Sequence, residues 1–244
     1  MFKNIIVIIP ARYKSQRLPR KPLRLINNQP LIYRTWKNIT GVINKKFVYV
    51  ATDSYKIINV CKQLGIQTLI TSSKCKTGSD RVAEASKLFK KKKIISIQGD
   101  EPFLSKRAIK KFFKFSLKNK NFVTNAFSKI KNSSEYFNLN VPKLVMNKNN
   151  FLLYMSRSPL PGSKNYKFNK SFKQICMYSF PLKILNRYFG KNKSKSFIES
   201  IEDIEILRFI ENDEKVKMVE VEHNILSIDT FSDLKLANKL MKKY

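Results

Sequence analysis

The sequence predicts an α/β fold, a mostly parallel central sheet flanked by helices, and three observations carry that prediction. Strand-like apolar runs alternate with helical periodicity through the first half of the chain. The first run, Ile5 to Ile9, is unbroken and mostly β-branched, as a strand covered on both faces requires. Three early strands also empty into polar segments, which in an open parallel sheet would converge on a crevice beyond the strand ends.

Taken in order, Ile5 to Ile9 is the first strand, and the loop after it carries Arg12, Lys14, Arg17, Arg20 and Lys21. Pro10, Pro19 and Pro22 fix φ and remove three N–H donors, so these cations sit on a partly preorganised surface suited to phosphate. A helix follows from about Leu31, then a strand at Phe47 to Ala51 that ends in ATDS (Ala51 to Ser54). Next come a helix from Tyr55, a strand at Ile66 to Ile70, and a helix from Asp80 whose start Ser79 or Asp80 would cap. Lys90 to Lys93 closes that helix, where cations complement the C-terminal dipole. The strand Ile94 to Gln98 ends in QGDEP. From Ser105 to Lys118, phenylalanines fall on a core face and lysines on a solvent face of one helix.

The second half has shorter strand-like runs at Asn121 to Phe127, Val141 to Met146 and Phe151 to Met155, then a loop at Ser158 to Lys173. A strand at Ile175 to Phe180, one amphipathic helix over Ile198 to Ile210, a last strand at Ile225 to Ile228 and a terminal helix after Asp229 complete the chain. With no internal repeat or linker, residues 1–244 are read as one domain, about 120–190 forming a smaller lobe or an oligomer contact.

At 244 residues, 43% of them hydrophobic, the chain can bury a sizeable core, and no apolar run approaches the roughly 20 residues of a membrane-spanning helix. No membrane partner is therefore expected. The opening lacks a signal peptide's apolar segment and cleavage site, and Cys61, Cys75 and Cys176 suit neither a disulfide framework nor metal-ligand pairs, so the expected location is the cytoplasm. Net charge is +32, from 49 Lys+Arg against 17 Asp+Glu, which would attract nucleic acid or phosphorylated substrates. The lysines are scattered along the chain with much Asn, Ile and Phe, a compositional bias rather than a nucleic-acid stripe. Nucleic acid is accordingly not the expected partner.

Neither a Walker A sequence nor GxGxxG is present, which argues against a P-loop NTPase and a dinucleotide-dependent dehydrogenase. His223 is the only histidine and reads as a surface residue, so Ser-His-Asp hydrolysis, His-ligated zinc and histidyl phosphotransfer lack their imidazoles. In QGDEP, Asp100 and Glu101 lie just past a strand end. That position suits Mg²⁺, which needs only one or two protein carboxylates when phosphate and water complete its octahedron, and equally suits a turn or helix cap. Asp229 stands between the last strand and the terminal helix, either as a second carboxylate or as part of an ordinary helix start. The segment KTGSDRVAEA (Lys76 to Ala85) reads as a capped helix start with Gly78 in the preceding loop.

Together, IIPARYKSQRLPRKPL, ATDS, TGSDRVAEA, IQGDEPF and SIDTFSDL resemble, in order and spacing, the CMP-Kdo synthetases, or 3-deoxy-manno-octulosonate cytidylyltransferases. YMSRSPLP (Tyr154 to Pro161) and IESIEDIEILR (Ile198 to Arg208) look like later segments of that family, so the resemblance runs essentially end to end. It implies a Rossmann-like nucleotide-diphosphosugar transferase fold, a homodimer, Mg²⁺ as cofactor, and transfer of CMP from CTP to the anomeric hydroxyl of Kdo (3-deoxy-D-manno-octulosonate). Pyrophosphate would be released and CMP-Kdo would feed lipopolysaccharide synthesis. By position, the resemblance implies that Arg12 and Lys21 hold the CTP phosphates, with Ala11 and Ser15 in the same loop, and that Gly78, Ser79, Arg81 and Gln98 meet the nucleotide. It further implies that Asp100 and Asp229 ligate Mg²⁺, Arg12, Lys21 and Asp100 forming the catalytic set, and that Arg157, Gln174 and Glu205 face the acidic 2-keto sugar.

The chain departs from the family pattern at three positions. Arg20 stands where the loop typically has glycine, so a positive φ there would be strained. Gln174 replaces a histidine, and Ile206 a glutamine; both lie in the inferred sugar half, which makes 8-amino-Kdo or another 2-keto sugar acid the close alternative.

Overall fold

Every residue of β1 (Ile5–Ala11) is buried, because the strand lies inside the sheet with a parallel neighbour on each side. The computed structural model describes residues 2–15, 17–90, 93–222 and 227–241. After β1 the chain forms a 3-10 turn at Lys21–Leu23 and two short paired strands, β2 (Leu25–Ile26) and β3 (Gln29–Pro30). Then follow α1 (Leu31–Thr40), β4 (Val48–Thr52), α2 (Tyr55–Gln63), β5 (Gln67–Ile70), α3 (Gly78–Ser86), β6 (Lys93–Ile97), α4 (Lys106–Lys118) and β7 (Val123–Lys129). The remainder is α5 (Ser133–Phe137), β8 (Lys143–Met146), β9 (Leu152–Ser156), β10 (Phe172–Phe180), α6 (Leu182–Tyr188), α7 (Phe197–Glu202), α8 (Leu207–Ile210), β11 (Val216–Glu220) and α9 (Phe231–Met241).

The main sheet runs β11-β7-β10-β6-β1-β4-β5, and the β8–β9 hairpin extends it from the Phe172 end of β10. β6, β1, β4 and β5 are mutually parallel, as is the pair β7 and β11. β10 runs antiparallel between β6 and β7 and joins the two parallel sets. Alternate β1 residues feed opposite cores. Ile5, Val7 and Ile9 pack with Ile32 of α1, Ile57 of α2 and Phe112 and Phe113 of α4. Ile6 and Ile8 pack with Val82 and Ala83 of α3 and Phe209 of α8. Each fully buried isoleucine or valine contributes about 1.5–3 kcal/mol, so the continuous run reflects two covered faces.

Several expectations are corrected. α3 begins at Gly78 rather than Asp80, capped by Thr77, whose side chain accepts from Asp80 N while the Asp80 carboxylate accepts in return. That helix ends at Ser86, so Lys90 lies beyond it and Lys93 already belongs to β6; Lys91 and Lys92 are outside the described residues. The span Ile198 to Ile210 is two helices, α7 and α8, because Asp203 adopts a left-handed φ of 50° after Glu202; Ile201 is consequently exposed. β10 starts at Phe172 rather than Ile175. The expected strand at Ile225 to Ile228 falls partly outside the described residues, and Ser227 and Ile228 are irregular; the strand in this region is β11, upstream. His223 also lies outside the described residues.

Candidate active site

A cleft of about 1420 Å³ opens above the carboxyl ends of β1 and β6 and the adjoining part of β10. Single small-molecule pockets run to roughly 300–1,000 Å³, so this one has room for two substrates side by side. One wall is the loop after β1, the other the segment from Asn138 to Pro142 with Arg157, and Arg17 Nη1 donates to Asn140 Oδ1 across the gap at 2.8 Å.

The base of the cleft is built by backbone bonds that bring two carboxylates together. β6 stops before Gly99, whose carbonyl accepts from Thr35 Oγ1 at 3.0 Å, and the next carbonyl, of Asp100, accepts from Ile228 N at 3.0 Å. That second bond sets Asp229 beside Asp100. Lys21 Nζ lies between them, donating to Asp100 Oδ2 at 2.5 Å and Asp229 Oδ1 at 2.9 Å, and Arg17 Nη2 stands 3.3 Å from the same Asp229 oxygen. Glu101 turns inward instead, accepting from Ser227 Oγ at 2.8 Å and from the Cys176 amide.

Burial raises the Asp100 carboxyl above its ordinary range even with Lys21 against it. For Asp229 burial acts the same way, but Lys21 and Arg17 outweigh it and hold the group low. Burial alone would depress Lys21; the two carboxylates overturn that and raise it. Asp100 Oδ1 is buried without a hydrogen-bond partner among the described residues. An acceptor oxygen left over beside a second carboxylate is what a hard cation could use. No group of three or more His, Cys, Asp or Glu suited to a metal occurs among the described residues, so phosphate and water would have to complete the shell.

A second cluster surrounds the amino end of α3. Glu205, ahead of α8, accepts from Gly78 N at 2.9 Å and Ser79 N at 2.7 Å. Burial raises its pKa against those hydrogen bonds. A Cβ at Gly78 would lie 2.8 Å from Gln98 Nε2 and 3.2 Å from Glu205 Oε1, so a larger residue there would push the ends of these side chains aside. Arg81 is buried beneath, bonded to Thr71 Oγ1 at 2.5 Å and paired with Asp53 at 3.3 Å.

On the sugar side expected by resemblance, Arg157 Nε donates to Glu202 O at 2.6 Å, Nη1 to Leu139 O and Nη2 to Asp203 O, both at 3.1 Å. The guanidinium is thus oriented by three carbonyls at the cleft edge. Gln174 projects from β10, its Nε2 donating to Asn125 Oδ1 at 3.2 Å. Lys195 pairs with Asp203 at 2.6 Å.

Of the expected site residues, Ala11, Arg12, Ser15, Lys21, Gly78, Arg81, Gln98, Asp100, Arg157, Gln174, Glu205 and Asp229 line the cleft. Ser79 does not: it is buried, and its amide is committed to Glu205. Ile206 is likewise a core residue, packed among Leu207 and Phe209, so its departure from the family pattern concerns packing rather than a cleft contact. Two of the three polar strand ends meet in the cleft. The ATDS segment lies one strand further along, at the end of β4, where Ala51 and Thr52 pair with Pro10 and Ala11 of β1 and Asp53 pairs with Arg81, but its own residues do not line the cleft. Sequence reading gave no specific role to Arg17, Lys195 or Asp203, which line the same cleft. Arg17 was visible as one of the loop cations, whereas nothing local marks the left-handed Asp203.

Residues 6–216 match the cytidylyltransferase family. The 3-deoxy-manno-octulosonate cytidylyltransferase of Thermodesulfovibrio yellowstonii is 36% identical over 98% of both chains. The one from Rickettsia prowazekii is 34% identical over 99% of this chain and 96% of its own. A solved CMP:2-keto-3-deoxy-manno-octonic acid synthetase, complexed with CTP, superposes with a TM-score of 0.89 at 27% identity and covers 99% of each chain.

Proposed function

This chain belongs to the 3-deoxy-manno-octulosonate cytidylyltransferases, and from that premise we propose how its cleft divides the work of the reaction. The protein transfers CMP from CTP to Kdo. The sugar hydroxyl forms a bond to the α-phosphorus while the bond to the β-phosphate oxygen breaks, so pyrophosphate leaves and the hydroxyl proton is lost.

Such a transfer needs alignment and charge compensation more than covalent participation by protein. Arg12, Lys21 and Ser15 receive the phosphates on the loop after β1, supported by Arg17 at the same end of the cleft. Gly78, Gln98 and Ala11 form the nucleotide wall, and Arg81 supports that wall from below. Arg157 presents its fixed guanidinium to the sugar carboxylate, with Gln174 beside it. Asp100 and Asp229 would hold Mg²⁺, which would supply compensation of phosphate charge and a lowered pKa for the attacking hydroxyl. The single observation carrying this reading is the closure of Asp100, Asp229 and Lys21 into one node at the phosphate end of the cleft.

Three free cysteines and the absence, among the described residues, of a helix long and apolar enough to cross a membrane fit a cytoplasmic enzyme. A single catalytic domain in a homodimer, delivering CMP-Kdo to lipopolysaccharide synthesis, completes the proposal.

Asp100→Asn tests it. The substitution keeps the shape and removes one ionised ligand, so kcat should fall by at least about 100-fold, the scale of losing a preorganised charge contact, with circular dichroism and melting unchanged. An Asp100→Asn enzyme with wild-type kcat would refute the metal role.

A further inference from the structure

Three charged side chains that no step above uses lie directly beneath the junction of the nucleotide and sugar walls. Asp80 and Glu199 are 0% exposed and Arg208 is 2% exposed. Arg208 grips Glu199 with both arms of its fork, Nε to Oε2 at 2.5 Å and Nη2 to Oε1 at 2.8 Å. Its Nη1 donates to Asp80 Oδ1 at 3.2 Å and Tyr188 O at 2.9 Å, and the guanidinium sits 4.0 Å over the Phe189 ring. Asp80 in turn accepts from Thr77 N at 3.0 Å, Thr77 Oγ1 at 2.8 Å and Gly190 N at 3.0 Å.

Such a cluster is poorly explained as a source of stability, since apolar replacements of buried ion groups are often neutral or stabilising. What it does fix is position. Three residues before Arg208, Glu205 accepts from the first two amides of α3. That helix is already capped by Thr77 and Asp80, so Glu205 is not needed to start it. The segment bearing Glu199, Glu205 and Arg208 therefore holds the first turn of α3 twice, by Arg208 through Asp80 and by Glu205 directly.

We propose that Arg208 is a positioning residue: locked between Asp80 and Glu199, it keeps Glu205 on the Gly78 and Ser79 amides and thereby fixes the sugar wall of the cleft against its nucleotide wall. The names of the two walls rest on the function proposed above; the coupling between them does not. Arg208 touches neither substrate and acts through Glu205.

Two variants test this. Arg208→Lys retains the charge but loses the bidentate fork. The double variant Glu199→Gln/Arg208→Met removes the fork without leaving an ionised Glu199 unpaired, and Asp80 keeps its three other donors; circular dichroism and melting confirm that each variant is folded before it is scored. Amide hydrogen exchange at Gly78 and Ser79 should accelerate by about tenfold or more in both, with β1 and β4 unchanged, as for a local release rather than global loosening. In steady-state kinetics, kcat/KM for Kdo should fall by about tenfold or more, the scale of a small misplacement, while the calorimetric Kd of CTP stays within about threefold. Wild-type exchange at Gly78 and Ser79, acceleration spread evenly over the molecule, or an unchanged kcat/KM for Kdo would each overturn the proposal. If even the wild type releases no pyrophosphate from CTP with Kdo, the assigned reaction fails, and exchange at the two amides still decides whether Arg208 controls Glu205.

Discussion

Arg20 holds φ at 59° and ψ at 29°, a left-handed backbone that an L side chain adopts at a cost of about 1–2 kcal/mol. The family resemblance puts glycine there, and the strain that substitution implies is present. Its side chain recovers part of the cost by lying 5.9 Å over the Tyr13 ring, on the cleft wall beside Lys21. Arg20→Gly should therefore stabilise the protein by about 1 kcal/mol, raising Tm by about 3 °C in a domain of this size. A differential scan that finds no rise would show that the loop relaxes around the arginine. Residue identity made the strain legible; the cation–π contact was not, because Tyr13 and Arg20 meet only once the loop is folded.

At the scale of elements, the parallel half was readable because its inner strands β1, β4 and β6 are apolar runs covered on both faces. The rest escaped for reasons that can be named. β10 crosses the sheet antiparallel, and nothing in ICMYSF states a direction; direction is set by which neighbours its edges find. Its ladder with β7 slips between Ile175 and Tyr178, and Asn125 fills the slip, its Nδ2 donating to Ile175 O at 3.0 Å and Met177 O at 2.9 Å. Gln174, one residue before the slip, takes its orientation from the same Asn125. An asparagine inside a buried strand is the signal that was available, and its partner lies 50 positions away in the chain. Asn125→Ala would leave two buried carbonyls without donors, costing about 2–4 kcal/mol and lowering Tm by roughly 5–15 °C. A loss below 1 kcal/mol in urea unfolding would mean that the carbonyls find other donors.

For the whole molecule, charge dominates, and the buried lysines determine how stability responds to pH. Burial pushes Lys143, between the carbonyls of Asn138 and Arg157, down to about 8, with Arg157 adding repulsion; burial brings Lys93 to about 8 as well. Both folded values lie below the ordinary lysine range, so between about pH 7 and 8.5 the unfolded chain holds more protons and stability rises with pH. Cys61 and Cys75, pushed by burial to about 12, act in the opposite sense once unfolded thiols ionise above about pH 8.5. The expected outcome is a gain on the order of 1 kcal/mol in urea unfolding from pH 7 to 8.5, smaller in Lys143→Met. A flat or falling profile would contradict buried, proton-shedding lysines. The +32 charge itself was plain in the composition, yet the cations with an evident task are few: those at the cleft, among them Arg12, Lys21 and Arg157, and the buried Arg208 behind it.

The most direct test of the account is pyrophosphate release by the purified protein with CTP, Mg²⁺ and Kdo, with ATP, GTP and UTP as controls and 8-amino-Kdo and sialic acid as alternative acceptors. Release that requires CTP, Kdo and the metal together is the predicted result. Release without added metal in the presence of a chelator, or none with CTP and Kdo, would contradict it.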